Sequence, residues 1–460
     1  MQAIPTPKTP KFWQATQWIL DPLSYMNANF SRFGDLFQAQ VPSGSGEPWV
    51  LINNPKALQY ILTHDTGKEF TAPGEVNSIL AQVMGWQNLI LLSGQQHQRR
   101  RRLVMPPFHG ERLNVYGQVI RQITLDLLQQ WPMEASLDIR DLMQKITMRV
   151  ILQVVFGMHE GERYLQIEHL LHSRLSITAS PITSAIIFLP WLQQDFGSWS
   201  PGHRFLEFAV QTDQLLFSEI QERRANLDPN RTDILSLLLA ATDEEEKGLT
   251  DQDLRDELMA LLAAGHDTTA TALAWAMYWI HALPDVKEKL MAELDTVTNP
   301  QNSAEFLRLS YLAAVCSETL RIHPIAMVTF PRRVKVPMEL GGYPLEPGTL
   351  VVGSIHSLHQ REDLFPNPQQ FCPERFLQNQ FSPYEYMPFG GGVRCCVGAA
   401  LAQYELKIVL GTMLTQFSFG LLNRKTVQPG RRGITSGPIT PIQIQKQGAR
   451  SQPKTSLQTA

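Results

Sequence analysis

The segment Asp251 to Leu283, DQDLRDELMALLAAGHDTTATALAWAMYWIHAL, limits what this chain can fold into more than any other stretch. Leu254, Leu258, Leu261 and Leu262 recur at helical spacing, the mark of a helix with one apolar stripe. Thr250 with Asp253 three residues on reads as a capping box, and Pro284 supplies a stop. The pattern predicts a helix of about 32 residues, or about 48 Å at 1.5 Å per residue. A helix of that length crosses the whole molecule, so the other elements must be arranged around it.

Strand signals are weaker and gather late. Arg332 to Ser354, RRVKVPMELGGYPLEPGTLVVGS, alternates around a Gly-Gly and a Pro-Gly turn, as β-hairpins do. Pro438 to Gln445, PITPIQIQ, is one more short apolar piece. The fold class is therefore mainly α with a small β region. Nothing repeated, Gly/Ser-rich or low in complexity divides the 460 residues. They read as a single domain, 1–460, whose polar tail from about Gly448 to Ala460 is expected to be disordered.

A formal charge of -3 gives no reason to expect a nucleic-acid partner. The N-terminus, MQAIPTPKTPKFW, is proline-rich and polar where a transmembrane anchor would need about 20 apolar residues, and it lacks a signal-peptide pattern. Four cysteines in a chain this long make no disulfide framework. The expectation is a soluble, cytoplasmic protein without a transmembrane anchor.

Those cysteines stand at 316, 372, 395 and 396, without the C-x-x-C spacing of zinc or redox sites. Cys395 and Cys396 are too close to bridge: neighbouring Cα atoms lie about 3.8 Å apart, below the roughly 4.4 Å a disulfide needs. A single thiolate serving as a metal or cofactor ligand remains. The surrounding stretch, MPFGGGVRCCVGAALA from Met387 to Ala402, has the means to support one. Gly390 to Gly392 and Gly398 permit tight turns and close approach to a flat group. The apolar run from Val397 suits a helix whose first amides favour a negative sulfur. Arg394 offers a fixed cation for an acidic group on the cofactor. These features fit haem held by cysteine, although the physics alone does not name haem.

Written as Phe389-x-x-Gly392-x-Arg394-x-Cys396-x-Gly398-x-x-x-Ala402, the stretch resembles the haem-binding signature of the cytochrome P450 superfamily. Every specified position fits only with Cys396 as the iron ligand. The resemblance covers nearly the whole chain, with its segments in family order. It implies a P450-like fold with haem b lying between the long central helix and the cysteine loop. Phe389, Gly398 and, on the helix, Ala264 would lie against that haem, with Arg394 at a haem carboxylate.

Other motifs follow from the same resemblance. In SETLR, Glu318 and Arg321 stand three apart on one helical face, ordinarily a surface pair. The family joins such a pair to an arginine from a P-E-R-F segment. Here CPERF supplies Arg375, and the trio would hold the fold around the haem. AAGHDTT resembles the family's oxygen-activating segment, in which Asp267 would deliver protons and Thr268 would loosen the helix and make room for water. Gly265 costs about 1 kcal/mol relative to Ala in mid-helix, and a cofactor or oxygen against that face would explain it. In HQRRRRLVMPPF, His97 and Arg101 share a helix face and would meet the haem carboxylates. Arg99, Arg100 and Arg102 would then form a basic surface for an acidic electron-transfer partner. Arg332 or Arg333 is the expected second carboxylate partner, with Arg332 favoured. His359 is assigned a structural role only, and Cys395 fills a free position of the signature.

The implied activity is that of a haem-thiolate monooxygenase using O₂, with the Cys396 thiolate pushing electron density towards O–O cleavage. Its electrons are expected from a ferredoxin served by a NAD(P)H-dependent reductase, since the haem domain occupies the length and leaves none for a fused flavin reductase. Ser180 to Phe196 falls where the family has an access lid. Ile182, Ile186, Ile187, Phe188, Leu189 and Trp191 would suit a hydrophobic substrate, a long-chain fatty acid or terpenoid, or brief membrane contact. Two alternatives stay open: a peroxide-driven oxygenase or lipid-peroxide isomerase on the same fold, and a non-catalytic haem sensor or carrier. The Asp267-Thr268 pair argues against both.

Overall fold

The structure is a computed structural model and describes residues 3–42, 46–110, 112–179, 194–197 and 200–450. Its axis is one helix, Asp251–Ala282. Thr250 and Asp253 close the capping box: the Thr250 hydroxyl accepts the Asp253 N–H at 3.1 Å, and the Asp253 carboxylate accepts the Thr250 N–H at 3.0 Å. At the far end Leu283 turns extended and Pro284 opens a new helix, Pro284–Leu294, a first-turn position where its missing N–H is harmless.

Helices Ile139–Phe156, Ser310–Ile322 and Ala399–Gln416 pack on this axis, and Arg112–Gln130 packs on the first and last of them. One apolar core joins all five. The central helix is buried from Leu254 to Leu262 and again from Thr269 to Tyr278. Between those runs the cover thins, and Ala264 is exposed although it lies in the molecule's interior. That bare segment faces a cavity.

A five-stranded sheet lies to one side, in the order Leu36–Ala39, Trp49–Ile52, Leu350–Gly353, Arg332–Val334, Phe70–Thr71. The sequence placed its strands late, but three of these five come from the first 71 residues. Each is two to four residues long, too short to show a period of two. The expected hairpin is present: Met338–Leu340 pairs with Tyr343–Leu345 across Gly341 and Gly342, at φ 61 and 85. The last strand, Gln443–Ala449, lies between Phe417–Leu421 and Ser136–Asp138. Gly448 and Ala449 pair there with Ser418 and Phe417, so the ladder extends into residues expected to belong to the disordered tail. Residues 451–460 lie outside the described residues.

Candidate functional site

A cavity of about 620 Å³ lies between the bare face of the central helix and the cysteine loop. Ala264 and Thr268 line one side, Phe389, Cys396, Gly398 and Ala402 the other. The loop is shaped by glycine where no other residue fits. Gly392 has φ +64, and a Cβ there would stand 2.1 Å from the Asp65 carboxylate. The Cys396 N–H donates to Phe389 O at 3.0 Å, closing the loop at its neck. The helix Ala399–Gln416 follows, with Gly398 as its cap. All four cysteines are free. Cys396 is exposed, but onto the cavity, and the surrounding protein screens it from bulk solvent. That burial raises its thiol pKa, while the Gly398 N–H and the charge of Arg101 pull it down.

His97, Arg101 and Arg394 line the same cavity. His97 is buried and its Nε2 has no partner among the described residues. Burial, then the charges of Arg394, Arg101 and Arg332, lower its pKa to about 3. Arg394 donates to Leu89 O at 2.8 Å and to Ala72 O and Leu92 O at 2.6 Å, and burial followed by the neighbouring Arg332 charge lowers it to about 10. Buried cations around an unpartnered imidazole are costly without an anion. This donor set fits the carboxylates of haem, as the free sulfur and the bare helix face fit its iron and its plane.

Arg332 stands beside the site but is not among the residues that line the cavity; it pairs with Asp65, Nε to Oδ2, at 2.8 Å. Arg333 forms a two-point pair with Glu47 at 2.7 and 2.8 Å. The expected basic surface is also corrected. Arg99 pairs with Asp243, Arg102 with Glu244 and buried Arg100 with Asp253 and Glu257. Acids from the loop before the central helix and from that helix's first turns pair with all three. The same helix end holds the segment over the cavity, since Asp256 accepts the Gln87 N–H at 2.8 Å and Glu257 the Leu89 N–H at 3.0 Å.

On the central helix, the Thr268 hydroxyl donates to Ala264 O at 2.5 Å. The Asp267 carboxylate accepts from Arg140 and from Gln144, the latter at 2.9 Å. At Gly265 a Cβ would stand 2.4 Å from Ile151 Cδ1 on the neighbouring helix, a contact that the end of that side chain could yield. Glu318, Arg321 and Arg375 form one buried network. Arg321 donates twice to Glu318, at 2.7 and 2.8 Å, and Arg375 once at 3.1 Å. Arg321 also donates to His359 O at 2.9 Å, and His359 Nε2 accepts the Met387 N–H at 3.0 Å. This places His359 in the scaffold that leads into the cysteine loop.

The six lid residues, between 182 and 191, lie outside the described residues. Three side chains escaped the sequence reading. Asp65 sits in a segment that reads as an ordinary turn. Arg140 left a faint signal, a cation in a helix's first turn, where the dipole disfavours it. Glu405 left a clearer one, an acid in the apolar stripe of Leu401, Ile408 and Val409. It lines the cavity, its Oε1 lacks a partner among the described residues, and burial alone pushes its pKa up to about 8.

Comparison with known proteins agrees with this geometry. A family model described as Cytochrome P450 matches residues 4–444. Putative cytochrome P450 135B1 of Mycobacterium tuberculosis (strain ATCC 25618 / H37Rv) is 32% identical over 457 residues, covering 99% of this chain and 94% of its own. Putative cytochrome P450 138 of the same strain is 30% identical over 441 residues, covering 94% of each. Among solved structures, retinoic acid bound cyanobacterial CYP120A1 superposes with a TM-score of 0.84 at 22% identity, over 97% of this chain and 99% of that one.

Proposed function

The chain belongs to the cytochrome P450 family of haem b monooxygenases, and we propose that Cys396 is its iron ligand and a hydrophobic small molecule its substrate. The observation that carries the ligand assignment is the Cys396 side chain, open to the cavity across from Ala264 and Thr268. Haem bound there supplies O₂ reduction and insertion of one oxygen atom into a C–H bond; the other oxygen leaves as water, with two electrons and two protons consumed.

The chain's own residues have separate tasks in this reading. Arg394, Arg101 and His97 hold the cofactor's carboxylates, and Phe389 and Gly398 pack on its sulfur side. Asp267 receives protons from outside and passes them to the Thr268 hydroxyl, which fixes water in the slackened turn at Ala264. The apolar wall, including Leu80, Val83, Ile90 and Phe330, excludes bulk water and takes the substrate. We favour a long-chain fatty acid or a terpenoid. Bound retinoic acid, an isoprenoid acid, in the similarly folded CYP120A1 supports the terpenoid side. Electrons would come from a ferredoxin-type donor with a NAD(P)H-dependent reductase. Among the described residues no helix is long and apolar enough to cross a membrane.

The reduced, carbon-monoxide-bound absorption spectrum tests the reading. A strongly red-shifted Soret band is expected, lost in Cys396→Ser and largely kept in Cys395→Ser. A globin-like band in the unmutated protein, or loss only in Cys395→Ser, would overturn the assignment. Titration with fatty acids, retinoids and polar aromatics tests the substrate class, which fails if only the polar compounds shift the spectrum.

A further inference from the structure

The cysteine loop is gripped from outside the cavity by one buried ion pair. Asp65 follows the helix Pro55–Thr63, and Arg332 begins an inner strand of the five-stranded sheet. Their side chains are each 2% exposed and meet at 2.8 Å. Asp65 Oδ2 also accepts the Val393 N–H at 3.1 Å, and Arg332 Nη2 donates to Gly391 O at 2.9 Å. The pair therefore holds the residues on both sides of Gly392, whose absent Cβ makes the approach possible: one would stand 2.1 Å from Asp65 Oδ2 and 2.9 Å from Leu62 O.

The held residues lie inside a closed loop. Cys396 N–H returns to Phe389 O at 3.0 Å and Cys395 N–H to Gly392 O at 3.1 Å. Few free torsions separate Gly392 from the sulfur, so a displacement of the one reaches the other. The charge is balanced as well as placed. Asp65 is the only ion-pair partner of the Arg332 guanidinium among the described residues, so removing either one leaves the other's charge unbalanced beside the loop.

We propose that the Asp65–Arg332 pair is a clamp that sets the position and charge environment of the Cys396 sulfur, which makes both of them positioning residues for the haem-thiolate reaction. The proposal rests on Cys396 being the iron ligand. It differs from a haem-carboxylate role for Arg332 through Asp65, which lines no part of the cavity.

The test uses the haem-loaded protein and compares D65N, R332Q and D65N/R332Q with E47Q, which breaks the neighbouring Arg333 pair. The readouts are the reduced carbon-monoxide band and the ferric/ferrous midpoint potential, with Tm measured in parallel. In D65N the unbalanced guanidinium should move the potential positive and convert part of the red-shifted band to the shorter-wavelength, thiol-type form. R332Q leaves an unbalanced carboxylate and should move the potential negative, and the double variant should return towards the unmutated value. Should D65N fail to load haem, R332Q against D65N/R332Q reads the same coupling. The clamp is overturned if D65N, or the double variant relative to R332Q, lowers Tm while band and potential stay where E47Q leaves them. An unmutated protein without the red-shifted band would instead overturn the ligand assignment itself.

Discussion

Asp267 is a carboxylate already held by two side chains of the adjacent helix, Arg140 and Gln144. A held acid cannot swing freely, so in the proposed role Asp267 would pass protons by exchange with water while its neighbours keep it aimed. Its partial exposure, 25% of the side chain, gives that water a place. Asp267→Asn keeps the shape and a hydrogen bond to Gln144 but removes the exchangeable proton. Positioned acid–base groups are worth about 10²–10⁴-fold, so product formation should fall by about 100-fold with substrate affinity unchanged and a larger solvent isotope effect. A variant turning over at the unmutated rate would remove Asp267 from proton delivery. At this same scale lies the correction to the arginine run. Side chains fanning from one helix look like a basic patch in sequence, but Asp243, Glu244, Asp253 and Glu257 are brought to them by a fold the run itself does not encode.

At the scale of elements, Glu318 ties the helix Ser310–Ile322 to the segment that leads to the cysteine loop. It accepts from two guanidiniums and from the Cys372 N–H at 2.9 Å, and it is fully buried. Glu318→Gln retains an acceptor but leaves Arg321 and Arg375 without their counter-charge. Breaking a buried pair in this way costs about 3–5 kcal/mol, which denaturant unfolding should register together with loss of haem retention; a change below about 1 kcal/mol would mean the network behaves as a surface pair. Glu318 and Arg321 were legible from their three-residue spacing on one helix, while Arg375 came only through the family resemblance of CPERF. The central helix was legible from cap to stop, since its period persists over about nine turns and its capping box is local. The N-terminal strands were not, being too short for alternation and completed by partners some 300 residues away. Asp65 was not, because its partner lies 267 residues on. Cys396 was singled out through the register of the family signature, and Arg332 through the same resemblance; its pairing with Asp65 had no signal in either segment.

At the scale of the molecule, the core that surrounds the central helix also encloses titratable groups, and they set how stability varies with pH. Burial lowers His281 and His356 to about 4 and His323 and His359 to about 3. Each stays neutral when folded but takes up a proton below about 6.5 when unfolded, so its contribution is intact above that pH and lost as pH falls. Glu405 and Glu257 act in the opposite sense. Burial raises them to about 8 and about 7, so the folded chain keeps protons that the unfolded chain has released, and stability falls as pH rises above about 4.5. Between about pH 4.5 and 6.5 the four histidines outweigh the two carboxyls, and acidification destabilises. Above about 6.5 only the carboxyls remain, and Glu405 continues to act up to about pH 8. The Tm of the haem-loaded protein should therefore peak near pH 6.5 and decline on both sides. Glu405→Gln should flatten the alkaline side between pH 7 and 8.5 while leaving the acid side in place. A Tm that stays level from pH 5 to 8.5, or an alkaline decline of equal slope in the variant, would show that these buried groups do not set the profile.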